Sequence, residues 1–276
     1  MRFLVLLLAA GLSGCGIMHV DEKSFIHSDG KDAPVLARVD AAALLPAYTV
    51  TEETLLTPDG ATLRGLRLTR PDAATTLLYF GGNAFHIDQH ARDVLPLLAA
   101  CGSNVAVFDY RGYGRSSGMP TVANMQADAL RMFDHVNALH PGQVAVHGQS
   151  LGSFMAAYVA SQRPVARGMV LEATATNVKE WTDANVPWYL KPFLGVAIAP
   201  SLSGVDNQAA VSAWHGPSLV LSGENDKLIP LALSRKVYDA IAGENKQWHV
   251  ANGASHNGIL GNPDVGPVLC GFVRKL

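Results

Sequence analysis

Two copies of the pattern Gly-x-Ser-x-Gly occur in the chain, one around Ser116 and one around Ser150. Glycines on both sides of a serine permit the sharp, strained turn that presents a nucleophilic hydroxyl between a strand and a helix. Ser150 directly follows a strand-like run at 143–147 and precedes a helix-like run at 151–161, whereas Ser116 lies in a glycine-rich polar loop. The sequence therefore predicts that Ser150 is a nucleophile and that Ser116 is structural.

A serine hydroxyl needs a base at neutral pH, and that base needs a carboxylate to orient it. After Ser150 the chain contains three histidines, His215, His249 and His256. His215 precedes a predicted strand and His249 lies within one, whereas His256 lies in the loop after the last predicted strand. Because ligands and chemistry collect at the carboxyl ends of parallel strands, His256 is the predicted base.

The orienting carboxylate is expected in a loop that follows an earlier strand. The run 218–222 has the composition of a buried strand, and the loop after it contains both Glu224 and Asp226. Asp226 lies further into the turn, just before an apolar Leu-Ile-Pro, so it is the predicted acid and Glu224 a solvated neighbour. Asp206, which lies in a segment that interrupts the αβ alternation, is the alternative.

The same chemistry requires N–H groups aimed at the oxygen that becomes negative in the transition state. One predicted donor is the backbone N–H of Leu151, the residue after the nucleophile. The second is expected from the loop Phe-Gly-Gly-Asn-Ala that ends at Ala84. Its glycines allow the backbone to approach a substrate closely, so the N–H of Asn83 is the predicted donor, and a plain Gly-Gly turn is the alternative.

The elements that must hold these residues alternate along the chain from Tyr48 onward. Short apolar runs alternate with helix-like stretches, which predicts a mainly parallel sheet covered by helices on both faces, an α/β fold with three layers. Hydrophobic residues make up 49% of the 276 residues, and the net charge of −2 without a basic block argues against a nucleic-acid partner. The polar residues Asp128, Asp134 and His135 of one predicted helix are expected to form a solvated face.

One segment, residues 176–206, interrupts this alternation. It should be a single crossover, yet it contains several prolines and the aromatic residues Trp181, Trp188, Tyr189 and Phe193. One interpretation is a small cap that lines an apolar substrate site above the strand ends. The other is an ordinary crossover helix with an irregular end.

The N-terminus has the features of a secretory signal, with Arg2 followed by ten apolar residues at 3–12. This run is too short to cross a bilayer, which takes about 20 residues. Leu-Ser-Gly-Cys at Cys15 resembles a bacterial lipobox, which predicts a signal peptide at 1–14, a diacylglycerol on Cys15 and a tether at 15–46. Gly16 resembles the outer-membrane sorting class, so the predicted location is the cell envelope, facing the periplasm. An ordinary secretory signal or a plain N-terminal anchor is the alternative.

Together these motifs resemble those of the α/β-hydrolase-fold serine hydrolases, over a domain at 47–276. The segment 78–84 is similar to the family's oxyanion segment, and the segment 108–118 to the loop after its fourth strand. The small-cap branch, which includes lysophospholipases, protein depalmitoylases and general esterases, is the most similar. Gly81 and Gln149 depart from it, because many relatives carry histidine at those positions.

The resemblance implies an eight-stranded, mostly parallel sheet and hydrolysis of a carboxylic ester or thioester. The apolar cap and the membrane attachment favour an acyl or lipid-like substrate. No cluster of His, Asp and Glu has metal-ligand spacing and the sequence contains no phosphate loop, so neither a metal nor a cofactor is expected. A serine peptidase on the same triad and a non-catalytic envelope binding protein remain alternatives. In the family's fold the helices near Cys101 and Cys270 share one face of the sheet, so these cysteines are expected either to form a disulfide or to remain two buried thiols.

Overall fold

The structure is a computed structural model that describes residues 16–29 and 37–276. The predicted signal peptide and Cys15 lie outside these ranges. In chain order the strands are β1 Gly16–Val20, β2 Thr49–Leu56, β3 Thr62–Thr69, β4 Thr76–Phe80, β5 Asn104–Phe108, β6 Val144–Gln149, β7 Met169–Glu172, β8 Leu194–Ile198, β9 Ser218–Gly223 and β10 Lys246–Ala251. The helices are α1 Glu22–Phe25, α2 Ala41–Leu44, α3 Ile87–Ala99, α4 Val122–Leu139, α5 Leu151–Gln162, α6 Val178–Asn185, α7 Asn207–Val211, α8 Leu231–Ala240 and α9 Val265–Val273, and Pro200–Leu202 forms a 3₁₀ turn.

The central sheet has eight strands in the order β2-β3-β5-β4-β6-β7-β9-β10. β3 runs antiparallel to both of its neighbours, and the other adjacent strands are parallel. Strands β4 to β7 are buried along their whole length, which explains why they read as continuous apolar runs rather than as alternating ones. The predicted α/β fold with a mostly parallel eight-stranded sheet is confirmed.

Two hydrophobic layers cover the faces of this sheet. Leu78 and Phe80 of β4 pack into one layer with α4, α5 and α8, whereas Leu77 and Tyr79 pack into the other with α3 and α9. This division follows from the alternation of side chains along a strand. All the strand C-termini of the parallel part therefore lie at one edge, where the loops after β4, β6, β9 and β10 meet.

A disulfide joins Cys101, just after α3, to Cys270 in α9. Of the two outcomes that the resemblance left open, the structure therefore contains the disulfide. Both helices lie on the same face of the sheet, as expected. The bond connects residues separated by 169 positions and so joins the first half of the sheet to the end of the chain.

Reducing this disulfide is expected to lower the free energy of unfolding by about 2–4 kcal/mol, because the bond restricts the unfolded chain. The measurement is denaturant unfolding with and without dithiothreitol. The double variant Cys101→Ala/Cys270→Ala retains Cys15 and is the matched control, which should not respond to reductant. A wild-type protein with the same unfolding midpoint in both conditions would contradict the prediction.

The expected tether at 15–46 is wrong for its described residues. β1 pairs in parallel with β8 to form a separate two-stranded sheet, and Phe25 and Ile26 are buried. The Phe25 ring lies 6.1 Å from the ring of Phe154 and 6.0 Å from that of Trp181, measured between centroids. The segment is short and its partners lie far away in the chain, so its local pattern does not indicate that it packs.

The segment 176–206 is more than a crossover helix. It contains α6, β8 and the 3₁₀ turn, and an isolated β-bridge between Asn177 and Asp206 closes its base. β8 is not part of the central sheet, and it pairs with β1 in a separate sheet. The structure therefore has a small cap, which is formed by this insertion together with residues 16–29, here called the N-terminal segment. No helix within 16–29 or 37–276 is both long and apolar enough to cross a membrane.

The expectation of a solvated face on α4 is wrong for Asp128. Its carboxylate accepts two hydrogen bonds from Arg111, at 2.9 and 2.8 Å, and both side chains are buried. Asp134 is exposed and pairs with Arg163, and His135 bonds to the Glu53 carboxylate in β2. The partner of Asp128 comes from the loop after β5, which the helical period of α4 cannot reveal.

Candidate active site

Ser150 lies at a sharp turn between β6 and α5. Its backbone has φ +53° and ψ −116°, a conformation that a residue with a Cβ rarely adopts, and its N–H donates to the carbonyl oxygen of Glu172 at 2.9 Å. A Cβ at Gly152 would come within 2.0 Å of the Phe80 carbonyl oxygen, and one at Gly148 within 2.2 Å of the Gly152 carbonyl oxygen. Close packing of helix on strands therefore requires both glycines of the pattern.

His256 reaches this turn from the loop after β10. Its Nε2 lies 3.0 Å from Ser150 Oγ, and its Nδ1 lies 2.8 Å from Asp226 Oδ2. The three residues predicted to act together thus form one hydrogen-bonded row, although they are separated by as many as 106 positions in the chain. The row can pass a proton from the hydroxyl to the imidazole, while the carboxylate stabilises the resulting positive charge.

The carboxylate at the end of the row is held on both of its oxygens. Asp226 Oδ1 accepts the backbone N–H groups of Leu228 and Ile229 at 2.9 and 2.8 Å, which leaves Oδ2 for His256. Its side chain is only 1% exposed. This loop conformation fixes the carboxylate before any substrate binds.

The other candidates from the sequence lie outside the row. Glu224 is exposed and accepts an N–H from the loop that precedes His256, and Asp206 caps the start of α7. His215 is exposed and His249 bonds to Asp264. Ser116 donates to the Asp109 carbonyl oxygen at 2.7 Å and accepts a backbone N–H from β3, which is a structural role.

The loop after β4 passes directly beside Ser150. A Cβ at Gly82 would lie 2.1 Å from Gln149 Oε1 and 3.5 Å from Ser150 Cβ, so only glycine fits at this approach. Asn83 follows in the same loop, and Leu151 is the first residue of α5, whose N–H has no partner within the helix. Neither N–H donates to another residue within 16–29 or 37–276. The loop that contains Asn83 thus passes beside Ser150 at Gly82, and Leu151 follows Ser150 in the chain, so the assignment of these two N–H groups as oxyanion donors stays a prediction.

The side chain of Asn83 is held in place by residues of the N-terminal segment. The sequence did not predict this contact. Its Nδ2 donates to the Phe25 carbonyl oxygen at 2.8 Å, and its Oδ1 accepts the His27 N–H at 2.9 Å and the Tyr113 hydroxyl at 3.0 Å. Three hydrogen bonds thus fix the side chain of the residue whose backbone N–H is the predicted oxyanion donor. Residues 25–27 are remote in the chain and carry no motif, so no sequence signal could have identified them.

A buried pair beneath the turn also escaped the sequence analysis. His147 Nε2 lies 3.0 Å from Glu172 Oε2, and the two side chains are 0% and 3% exposed. The other oxygen of Glu172 accepts the N–H of Leu260, which lies in the same loop as His256. Glu172 therefore joins three parts of the site, since its carbonyl oxygen also accepts the N–H of Ser150.

The loop after β5 supports the site from a second side. Asp109 is fully buried and accepts the backbone N–H groups of Ile87 and Arg115 at 2.8 and 2.9 Å. Burial raises the pKa of Asp109 to about 6, because the charged form loses its hydration. This loop contains Ser116, so the buried serine of the second Gly-x-Ser-x-Gly pattern belongs to a structural turn.

The cap aromatics divide into two groups. Trp181 faces inward, where its Nε1 donates to the Leu228 carbonyl oxygen at 3.1 Å beside the Asp226 loop. Trp188, Tyr189 and Phe193 are 82%, 56% and 66% exposed. Of the two interpretations of this segment, a cap whose aromatic residues line an enclosed apolar site does not hold for these three exposed side chains.

Comparisons with known proteins agree with this architecture. A family model described as "Serine aminopeptidase, S33" matches residues 71–203. An uncharacterized protein of Mycobacterium tuberculosis is 31% identical over 242 residues, which is 85% of this chain and 81% of that protein. The lysophosphatidylserine lipase ABHD12 of Mus musculus is 28% identical over 221 residues, 72% of this chain and 56% of that protein.

Solved structures share the fold at lower identity. The Pyrococcus furiosus esterase Pf2001 superposes with a TM-score of 0.71 at 18% identity, covering 88% of this chain and 96% of its own. A hyperthermophilic esterase from Pyrobaculum calidifontis gives a TM-score of 0.65 at 18% identity, with 82% and 85% covered. From its sheet topology, the turn at Ser150 and these matches, the chain belongs to the α/β-hydrolase family of hydrolases.

Proposed function

We propose that the protein is a serine hydrolase that cleaves a carboxylic ester or thioester through an acyl-enzyme. Ser150 is the nucleophile, His256 the base and Asp226 the residue that orients the base. The observation that carries the proposal is the hydrogen-bonded row, with 3.0 Å from Ser150 Oγ to His256 Nε2 and 2.8 Å from His256 Nδ1 to Asp226 Oδ2. A serine with a purely structural role would not need a histidine at hydrogen-bond distance that is itself bonded to a buried carboxylate.

In the first step His256 Nε2 takes the proton of the Ser150 hydroxyl as Oγ attacks the substrate carbonyl carbon. The N–H groups of Asn83 and Leu151 bind the oxyanion, and Asp226 stabilises the imidazolium. The tetrahedral intermediate collapses when the bond to the leaving group breaks, and His256 donates its proton to that group. Water then attacks the acyl-enzyme by the same route, which releases the acid and restores the Ser150 hydroxyl.

An acyl or lipid-like substrate is the class that the surroundings favour. Phe25, Phe154 and Trp181 form an apolar cluster under the cap, next to the loops that carry Asn83 and Asp226. One relative is a lysophosphatidylserine lipase, and the two similar solved structures named above are esterases. Phe25 and Phe154 are themselves buried, so the half-buried Trp181 is the member of this cluster with surface left to contact an acyl chain. Burial of apolar area there would favour binding by about 25 cal/mol per Å².

A panel of substrates that combines three leaving groups, an alcohol, a thiol and an amine, with acyl chains of increasing length tests the reaction class and the substrate class. We expect hydrolysis of the ester and the thioester, with activity retained as the acyl chain lengthens. Ser150→Ala protein serves as the blank. Activity on short acyl chains with none on long ones would contradict the lipid-like substrate, and the absence of turnover by folded protein would favour a non-catalytic binding role.

A serine peptidase is the second candidate, since the matching family model is described as a serine aminopeptidase. The same row of residues could cleave an amide, because the fold does not determine the substrate. The amide member of the panel distinguishes the two activities. An amide or a peptide with a free amino terminus hydrolysed faster than the matched ester would favour the peptidase.

We also propose that Cys15 carries a lipid and holds the protein at the periplasmic face of the bacterial outer membrane. The sequence at Cys15 and the disulfide between Cys101 and Cys270 support this location, because disulfides persist in oxidising compartments. Labelling of growing cells with radioactive palmitate tests it. Incorporation should occur in the wild-type chain and be lost in Cys15→Ser, and equal incorporation in both would contradict it.

Asn83→Ala is expected to lower kcat about 10- to 100-fold and to leave KM within about twofold, since the backbone donor would no longer be held in place. Steady-state kinetics on the preferred ester provide the measurement. Tyr113→Phe removes only one of the three hydrogen bonds to Asn83 and should have a smaller effect. Unchanged kcat in Asn83→Ala would contradict the proposed role of this loop.

A further inference from the structure

Four large apolar side chains of the cap are exposed to solvent. Ile17 of β1 is 62% exposed, and Trp188, Tyr189 and Phe193 are 82%, 56% and 66% exposed. Ile17 pairs with Gly195 in the β1–β8 sheet, and the rings of Trp188 and Tyr189 are in edge contact at 6.0 Å. We call these four residues the aromatic face. Single exposed apolar residues are ordinary, but four exposed on neighbouring segments of one small cap indicate an interaction surface.

The charges around the aromatic face are also unusual for this protein. The chain has 23 acidic residues, yet the segment 186–199 contains none, and its one charged residue is Lys191. Tryptophan and tyrosine concentrate at membrane–water boundaries, where an apolar ring and a polar group can both be satisfied. A lysine beside them can reach anionic headgroups with its ammonium while its stem stays among apolar groups.

The residues that precede β1 in the sequence indicate what this surface contacts. Residues 1–15, with the apolar run 3–12 and Cys15, lead directly into β1. The N–H of Gly16, the first residue of β1, donates to the carbonyl oxygen of Phe193 at 3.1 Å. A lipid anchor on Cys15 would therefore be attached to the residue directly before β1. Membrane attachment would then begin next to the aromatic face, with no spacer between the anchor and β1.

We propose that the aromatic face docks on a lipid bilayer and holds the candidate active site at the membrane surface. The proposal deepens the proposed function on which it rests, because the substrate becomes an acyl ester that is taken from the same bilayer. Trp181 and Asn185 of α6 both donate to the Leu228 carbonyl oxygen, at 3.1 Å each, in the loop that carries Asp226. Docking through the cap would thus set the orientation of Ser150, His256 and Asp226 relative to the membrane.

Quenching of tryptophan fluorescence tests the docking directly. The full chain is reconstituted into phosphatidylethanolamine–phosphatidylglycerol vesicles whose acyl chains are brominated, and the signal of Trp188 is obtained as the difference between wild type and Trp188→Phe. We expect brominated lipid to quench the Trp188 emission at least twofold and the vesicle to shield it from aqueous acrylamide. The matched control is Trp188→Phe/Leu139→Trp, since Leu139 is 47% exposed at the end of α4, near the start of β6 and so at the edge of the sheet opposite the strand C-termini.

The control tryptophan should remain accessible to acrylamide and unquenched by the lipid. If Trp188 behaves in the same way in vesicles, the proposal is wrong. It is equally wrong if Trp188 is shielded without lipid in a dimer detected by sedimentation, because the face would then be covered by a second copy of the chain.

Activity provides a second, separate readout. Trp188→Ser/Phe193→Ser is expected to hydrolyse a soluble short-chain ester at the wild-type rate and to lose about tenfold in rate on a lysophospholipid embedded in vesicles. Equal rates of variant and wild type on the embedded substrate would contradict the proposal. If wild-type protein hydrolyses neither substrate, the proposed function fails, whereas the fluorescence result still decides whether the face docks.

Discussion

Ser150→Ala is expected to lower kcat for ester hydrolysis by a factor on the order of 10⁵ to 10⁶, because it removes the nucleophile while the oxyanion donors remain. Ser150 Oγ is the atom that His256 Nε2 contacts at 3.0 Å, and no other described hydroxyl shares that contact. The fold should be retained, since the backbone N–H of residue 150 still donates to the Glu172 carbonyl oxygen. Burst and steady-state kinetics on the preferred ester measure the effect.

The second Gly-x-Ser-x-Gly pattern supplies the matched control for this variant. Ser116→Ala removes a hydrogen bond to Asp109 O and one from the Arg64 N–H, so its expected cost is about 1–3 kcal/mol of stability. Its kcat should stay within a few-fold of wild type. Comparable losses of activity in Ser116→Ala and Ser150→Ala would show that the loss follows general destabilisation and not removal of a nucleophile.

Asp226→Asn is expected to lower kcat by about 10⁴, through the tautomer of His256 and not through the fold. The Oδ1 position accepts two backbone N–H groups, so the oxygen of an asparagine must occupy it and the amide NH₂ must face His256 Nδ1. Nδ1 then becomes an acceptor and Nε2 carries the proton. In that state His256 cannot accept the proton of Ser150, although all heavy atoms stay in place.

Glu224→Gln is the matched control for this second prediction. Glu224 is an exposed carboxylate two residues earlier in the same loop, and it accepts the N–H of Gly253. The variant should retain kcat within a few-fold. Steady-state kinetics across pH measure both variants, and a loss in Glu224→Gln as large as that in Asp226→Asn would contradict the assignment of the acid.

Much of the sheet and the row of three residues could be predicted from the sequence because local patterns and topology act together. The runs predicted at 143–147, 151–161 and 218–222 fall on β6, α5 and β9, since a continuous apolar run and a helix-like stretch each define an element without outside partners. Ser150, Asp226 and His256 follow three strands of one parallel sheet, and carboxyl ends of such strands must meet. Their convergence therefore follows from the chain order alone.

The remaining parts depend on contacts that leave no local pattern. β1 is five residues long and pairs with β8, far away in the chain, so neither strand is distinguishable by itself from a loop. The clamp on Asn83 uses main-chain groups of residues 25 and 27, and any sequence there could supply them. Asp128 is buried only because Arg111 reaches it from another loop. Each of these contacts depends on which distant part of the chain supplies the partner, and neither the residue type nor its neighbours in the sequence indicate that partner.

Labelling with a fluorophosphonate tests whether Ser150 is an activated nucleophile, because this probe reacts with a serine only when a base activates it. The full chain is labelled, digested and mapped by mass spectrometry, with Ser150→Ala and Ser116→Ala in parallel. We expect one label per chain on Ser150, retained in Ser116→Ala and lost in Ser150→Ala. A folded wild-type protein that takes up no label, or takes it up at another residue, would contradict the role of Ser150 as the nucleophile.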